Sequence, residues 1–316
     1  MQAAREILPG VIYFPFMANQ TVHYAPNGRS YLNTGCGQTY SVDWNNLDRT
    51  RGRHIVYHDL RKPLPYPENS FDAVYSSHFL EHLGQKEGDR FLGELFRTCK
   101  PGGICRIVVP DYEQVCKEYL RRMEAAAEHP DRKAIRRYHW AVLEMIDQFT
   151  REKSGGRMLE TLASGDFDEE YVRFRNGEEF SRFYSPGKPA GKGPDEQHHG
   201  TSENLPRRTD RWFARPWKAI PSYILSQLSN WLEVSRGDPR ETGETHRWIY
   251  DRFGLKLCME AAGFEGIERM SHDKSSIPDW PVYSFDSASD RLHARKPDSL
   301  YMEGTKPVPR KMERSR

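Results

Sequence analysis

The sequence predicts an α/β protein built on a doubly wound, mostly parallel sheet. From residue 30 to about 116, short apolar strands alternate with helical patterns, as in a parallel sheet covered on both faces. The first three strands end in Gly35-Cys36-Gly37, Asp48 and Asp59, residue types suited to a ligand at the carboxyl edge of such a sheet. Phe91, Leu92, Leu95 and Phe96 recur on one helical face between the fourth and fifth strands.

Taken in order, Tyr31-Leu32-Asn33-Thr34 forms the first strand and runs into the glycines, which let the backbone turn and approach a ligand without a Cβ in the way. Trp44-Asn45-Asn46-Leu47-Asp48 forms the second strand, whose terminal carboxylate can accept two hydrogen bonds from a ribose diol. His58-Asp59-Leu60 closes the third, and Asp59 can accept from an exocyclic amine such as that of adenine. Asp48 follows Gly35 after only 13 positions, whereas dinucleotide fingerprints place the acid about 20 residues on. The first helix is therefore expected to be very short or replaced by a loop.

Residues 71–77 form a buried strand, 89–98 a helix, and Pro101-Gly102-Gly103 breaks the chain before a strand over 104–109. Residues 115–158 have a mostly helical pattern interrupted near His129-Pro130, and 154–200 predict a loop-rich lobe dominated by glycine, charge and proline. Residues 250–262 predict a helix stopped by Gly263. The tail from Lys306 is basic and expected to fray.

The ordered series of strand ends resembles the class I S-adenosylmethionine-dependent methyltransferases, particularly their type-11-like branch. The likeness continues through His78-Phe79-Leu80-Glu81-His82-Leu83 and Cys99-Lys100-Pro101-Gly102-Gly103, then resumes at Ala261-Ala262-Gly263-Phe264 and ends on Leu300-Tyr301-Met302-Glu303-Gly304-Thr305-Lys306. It covers about half the chain in two blocks. The resemblance implies a seven-stranded Rossmann-like sheet, with 264–270 and 299–305 as its terminal antiparallel pair, a bound S-adenosyl-L-methionine and methyl transfer to a nucleophile. Asn33, Gly35, Cys36, Gly37, Asp48, Asp59, Leu60 and Ser76 become the candidate cofactor-binding residues, with Cys36 read as packing rather than chemistry. The implied organisation is an N-terminal extension (1–29), a cofactor-binding core (30–116), a helical, loop-rich and aromatic insertion covering the substrate (117–245), a C-terminal part of the core (246–306) and a basic tail (307–316).

Methyl transfer from a sulfonium needs an aligned acceptor and exclusion of water, and a hydroxyl acceptor must also lose a proton. His78, at the end of the fourth strand, is the leading candidate base; Asp111 and His246 are weaker candidates, and His82 lies a helical turn further on. The run His78 to His82 also spells the His-x-x-Glu-His of inverted zinc peptidases. That motif requires both histidines on one face of a helix, and here a strand runs almost into His78. The peptidase reading is therefore disfavoured and no metal is expected. His198-His199 is read as a solvated loop pair.

A net charge of +2 gives no basic field, so nucleic acid is disfavoured as a partner. No apolar run approaches the ~18 residues of a membrane span, and apolar residues 7–17 include two prolines and lack a basic leader and cleavage site. Five cysteines without a Cys-x-x-Cys suggest reduced thiols and a cytoplasmic location. Residues 207–234 interleave Trp212, Trp217, Tyr223 and Trp231 with Arg207, Arg208, Arg211, Arg215 and Lys218. Packing of a substrate lobe explains them most simply, docking at a membrane surface is the sharper reading, and stacking of single-stranded nucleic acid is a third. A sugar hydroxyl of a cell-surface glycan is the leading acceptor, with a small molecule or lipid close behind. A non-catalytic binding module that keeps the fold is the alternative, motivated by the compressed glycine loop.

Overall fold

A computed structural model describes residues 20–184, 239 and 243–309; the aromatic-basic stretch 207–234, His198-His199 and residues 310–316 lie outside them. Seven strands form one sheet: β1 (Tyr31–Thr34), β2 (Asn45–Asp48), β3 (Ile55–Tyr57), β4 (Phe71–Ser77), β5 (Cys99–Pro110), β6 (Glu265–Arg269) and β7 (Ser299–Thr305). Their spatial order is β3-β2-β1-β4-β5-β7-β6. The first five pair in parallel, while β7 runs antiparallel between β5 and β6. The sequence-predicted Rossmann-like sheet and its terminal antiparallel pair are both present.

Side chains alternate across the pleat, as a strand's period of two requires. Leu32, Leu47, Val74, Ile107, Val109, Leu300 and Met302 face one way and pack with α1 (Gln85–Thr98) and α7 (Arg252–Ala261). Phe91, Leu92 and Leu95 supply the buried face of α1. Asp251 caps α7, its Oδ1 accepting from the N–H groups of Phe253 and Gly254. Gly263 stops the helix at φ +107, where an added Cβ would also lie 2.8 Å from the Phe96 ring.

Tyr31, Ala73, Tyr75, Val108 and Tyr301 face the other way, against Trp44, Ile277, Trp280 and Phe285. This second face is covered largely by the segment 271–288, which holds only the one-turn α8 (Trp280–Tyr283), rather than by the long helices a doubly wound sheet suggests. Arg106, fully buried on β5, fixes that segment. Its Nε bonds Asp286 at 2.8 Å, its Nη1 bonds Glu303 at 2.7 Å and the Lys274 carbonyl at 3.0 Å, and its Nη2 bonds the Ser271 carbonyl at 2.8 Å.

Between β5 and α7 come α2 (Tyr112–Glu128), α3 (Arg132–Thr150), α4 (Gly156–Ser164), α5 (Glu169–Asn176) and α6 (Glu178–Phe183). The last three occupy part of the stretch predicted to be loop-rich. The glycines there mark helix ends, at 155, 165 and 177, and Asp168 caps α5 through the Tyr171 N–H. Trp140, Leu162, Phe167, Tyr171, Val172 and Phe180 give these helices an apolar cluster of their own. The predicted break at Pro101-Gly102-Gly103 is also absent. β5 continues through it because Gly102 N–H donates to the Lys306 carbonyl and Lys306 N–H to that of Gly103.

Candidate active site at the carboxyl ends of the strands

The connection from β1 to β2 contains no helix, as the short spacing predicts. Parallel strands usually need a crossover of a dozen or more residues, so this loop requires another source of order. Two buried asparagines supply it. Asn46 Nδ2 donates to the carbonyls of Ser41, Trp44 and His54, and Asn33 Nδ2 donates to the Thr39 carbonyl and to Asn46 Oδ1. Gly35 N–H donates to the Leu47 carbonyl, which folds the loop over the end of β2. Gly35 adopts φ +67 and is packed against Phe79, whose Cβ would lie 2.9 Å from an added Cβ; Gly37 adopts φ +48 with open space around it.

Asp48 is partly exposed, and its carboxylate accepts from Gly37 N–H at 2.9 Å and from Thr50 N–H at 2.7 Å. A carboxylate has about four lone-pair sites, so two such bonds orient it and leave capacity for a diol. Its carbonyl accepts from His58 N–H at 2.8 Å, which brings the third strand end beside the second. Asp59 there is held by Arg61 through two side-chain bonds of 2.8 and 2.9 Å, and that pair holds its carboxyl down to about 2. The predicted amine contact would require this partly exposed pair to open. Leu60 is buried.

Three predicted cofactor contacts are committed elsewhere through their side chains. Asn33 holds the loop, as above. Ser76 is buried and its hydroxyl donates to the Thr34 carbonyl inside the sheet. Cys36 is buried, which pushes its thiol up to about 12 and fits the packing role expected of it.

His78 leaves β4 at φ +52, in the left-handed region that non-glycine residues rarely adopt. Its backbone N–H donates to the Val108 carbonyl, its Nε2 lies 2.9 Å from Ser299 Oγ, and its Nδ1 lies 3.2 Å from Glu81 Oε1. Burial, followed by the nearby Lys296 and Arg295 charges, lowers its pKa well below the usual imidazole value, so it is neutral. The next turn, Leu80–His82, is a single 3-10 turn. The His-x-x-Glu-His residues therefore do not share a helix face, and the peptidase geometry is not formed.

His246 reaches the same place from the far end of the chain. Arg247 and Trp248 donate their N–H groups to the Glu81 carbonyl, and the His246 ring stacks edge-on against His82 with centroids 4.9 Å apart. His78, Glu81, His82 and His246 thus form one cluster. Asp111 stands outside it: it caps α2 through the Gln114 N–H and pairs with Arg269 at 2.8 Å, a structural use of its carboxylate.

Two cavities adjoin the rim. One of about 380 Å³ lies between loop residues 38–41 and 282–285, with Arg295 in its wall donating from Nη1 to Thr39 Oγ1 at 2.9 Å. A second of about 20 Å³ is lined by Tyr112, Glu144, His246 and Asp298 among others, room for about one water. Neither is lined by Gly35, Asp48 or Asp59. Sequence reasoning gave Asn46, Ser299, Arg295 and Asp298 no site role, and met Glu81 only within the family likeness and the peptidase motif.

The donor set at the edge fits an adenosyl group in part. Asp48 offers an oriented, accessible carboxylate and Gly37 leaves space for close approach, whereas Asp59 is occupied.

The sheet order is that of the Rossmann-like methyltransferase fold. Residues 29–107 match the family model described as a methyltransferase domain, of the type-11-like kind. A Mycolicibacterium smegmatis protein named "Probable S-adenosylmethionine-dependent methyltransferase" is 28% identical over 102 residues, covering 27% of this chain and 39% of that relative. A demethylmenaquinone methyltransferase of Listeria monocytogenes serotype 4a is 26% identical over 150 residues, covering 45% of this chain and 56% of its own. The chain thus spans about half the length of the curated relatives it matches, or less. Among solved structures, a methyltransferase from Archaeoglobus fulgidus aligns with a TM-score of 0.35 at 12% identity, over 88% of this chain and 86% of the other.

Proposed function

We propose that the chain transfers a methyl group from S-adenosyl-L-methionine to an oxygen acceptor. The favoured acceptor is a sugar hydroxyl of a cell-surface glycan, with a small molecule or lipid as the alternative. The observation that carries the proposal is the family match over 29–107, together with the Asp48 carboxylate that Gly37 orients at the end of β2. The glycan preference comes from the type-11-like resemblance; the matched demethylmenaquinone methyltransferases favour a lipid or small-molecule acceptor.

When bound, the cofactor supplies a methyl group already activated on a sulfonium. The chain's own residues then hold and orient. In this reading Asp48 accepts from the ribose diol, the loop at Gly37 allows close approach, and Asp59 with the Leu60 backbone meets the adenine once Arg61 swings out. An exposed pair of that kind is worth about 0–1 kcal/mol, so its opening is a small cost. His78, neutral and fixed by Ser299, takes the proton of the acceptor hydroxyl at a ring nitrogen.

The Asp59–Arg61 pair and the compressed glycine loop favour a second reading, a methyltransferase-fold module that binds a partner without turnover. Calorimetric titration with S-adenosyl-L-methionine separates them. Saturable binding with one site supports the enzyme; no heat at millimolar ligand supports the module.

A further inference from the structure

The cluster beneath His78 contains a carboxylate with no hydrogen-bond donor. Glu81 is 1% exposed, and neither of its oxygens accepts a hydrogen bond; His78 Nδ1 lies 3.2 Å from Oε1 without the geometry of one. Burying an isolated carboxylate is costly, and the group neutralises unless a cation or donor meets it. A neutral imidazole keeps one ring nitrogen lone pair for a cation, and two imidazoles stand beside this carboxylate.

From this geometry we propose that Glu81, His82 and His246 form a binding site for a divalent first-row transition cation such as zinc. One ligand atom from each lies within 4.8 Å of the other two. A tetrahedron with zinc–ligand bonds of about 2.0–2.1 Å has edges of ~3.4 Å, so small side-chain rotations close the set. The ligand type, two imidazoles and one carboxylate, is that of three-ligand zinc sites that keep a fourth position open. His246 also lines the 20 Å³ cavity, so space for about one water adjoins this ligand.

The surroundings are arranged as in metal sites. His82 Nδ1 lies 3.2 Å from the Thr245 carbonyl; a carbonyl only accepts, so Nδ1 carries the proton and Nε2 is left as the ligand atom. Ligating histidines ordinarily fix their tautomer through such a bond. The same segment anchors its own histidine, since Arg247 and Trp248 N–H groups hold the Glu81 carbonyl and His246 N–H donates to that of Gln148. Two of the nearby cations are already matched: Lys296 pairs with Glu179 at 3.0 Å, and Arg151 with Asp147 at 3.1 Å and Glu244 at 3.0 Å. Within the methyl-transfer reading, on which this use of the site rests, the cation would bind the acceptor oxygen beside His78 and ease loss of its proton.

The test uses the full chain, stripped with a chelator, and titrates Co²⁺ by visible absorption and Zn²⁺ by calorimetry. One equivalent of each is expected, with cobalt bands of a nitrogen–oxygen set and no thiolate charge transfer. Glu81→Gln and His246→Ala should weaken uptake at least 100-fold, while His139→Ala, on the exposed face of α3, leaves it unchanged. Absence of saturable one-equivalent uptake by the wild-type chain overturns the site, whether or not the variants fold. So does uptake that survives both Glu81→Gln and His246→Ala. A parallel titration with S-adenosyl-L-methionine keeps the two ideas apart: cobalt bound without the cofactor upholds the site and removes the reading, and cofactor bound without cobalt does the reverse.

Discussion

Gly37 donates its backbone N–H to Asp48 Oδ2 at 2.9 Å, so the glycine loop and the acid at the end of β2 are one hydrogen-bonded unit. The pairing explains how a chain with only 13 positions between Gly35 and Asp48 can still present an oriented carboxylate at the rim. Replacing Asp48 by Ala removes both the acceptor for the loop and the acceptor proposed for the ribose. A hydrogen bond to a charged group contributes about 1.5–3 kcal/mol, so affinity for S-adenosyl-L-methionine should fall by an order of magnitude or more. Unchanged affinity in a calorimetric titration would remove Asp48 from the cofactor site.

The same loop depends on Asn46, whose two amide hydrogens are shared among the carbonyls of Ser41, Trp44 and His54. In Asn46→Leu the side-chain volume is roughly kept, but those buried carbonyls lose their donor. Leaving buried polar groups unsatisfied costs about 1–3 kcal/mol. The denaturation midpoint should drop accordingly, with cofactor affinity falling as the loop loosens. A midpoint equal to that of the wild-type chain would show that water or the backbone replaces the amide.

The parts of this fold that follow local periodicity were legible in the sequence. β1, β4 and β7 are short apolar runs buried on both faces, α1 and α7 each bury one face, and the short spacing after Gly35 pointed to a very short first helix or a loop in its place. What was not legible depends on residues far apart in the chain. Asn46 has no signal, because a buried Asn in a strand is disfavoured by propensity and is justified only by the loop it holds. The cover over the second sheet face has irregularly spaced Ile277, Trp280 and Phe285 and is fixed by Arg106, 165 positions and more away. His246 meets His82 only because the chain returns to the Glu81 carbonyl. The glycines at 155, 165 and 177 signalled loops but serve as boundaries between helices.

Arg106 is the centre of that tertiary cover. Its guanidinium has 0% exposure, pairs with Asp286 and Glu303, and lies 4.6 Å from the centroid of the Trp280 ring. Arg106→Met would leave two carboxylates buried without their cation. Breaking a buried ion pair on one side costs about 3–5 kcal/mol, enough to detach the 271–288 segment from the sheet. Proteolysis should then cut within that segment at a rate well above that of the wild-type chain. Equal resistance would mean that the aromatic packing alone holds the cover.

His78 joins a strained backbone to the proposed chemistry, and two substitutions separate these roles. Its φ of +52 costs an ordinary residue about 1–2 kcal/mol, and the Val108 carbonyl and the Ser299 hydroxyl hold the residue there. His78→Ala keeps that strain and removes the imidazole, whereas His78→Gly removes both. The glycine variant should therefore be more stable than the alanine variant by about 1 kcal/mol, less whatever chain entropy glycine adds to the unfolded state. If the imidazole takes the acceptor proton, the two variants should lose turnover alike, by about 100- to 10,000-fold, with cofactor affinity near that of the wild-type chain. Turnover restored in His78→Gly but not in His78→Ala would instead assign the residue to shaping the end of β4. Turnover intact in both would take His78 out of the reaction.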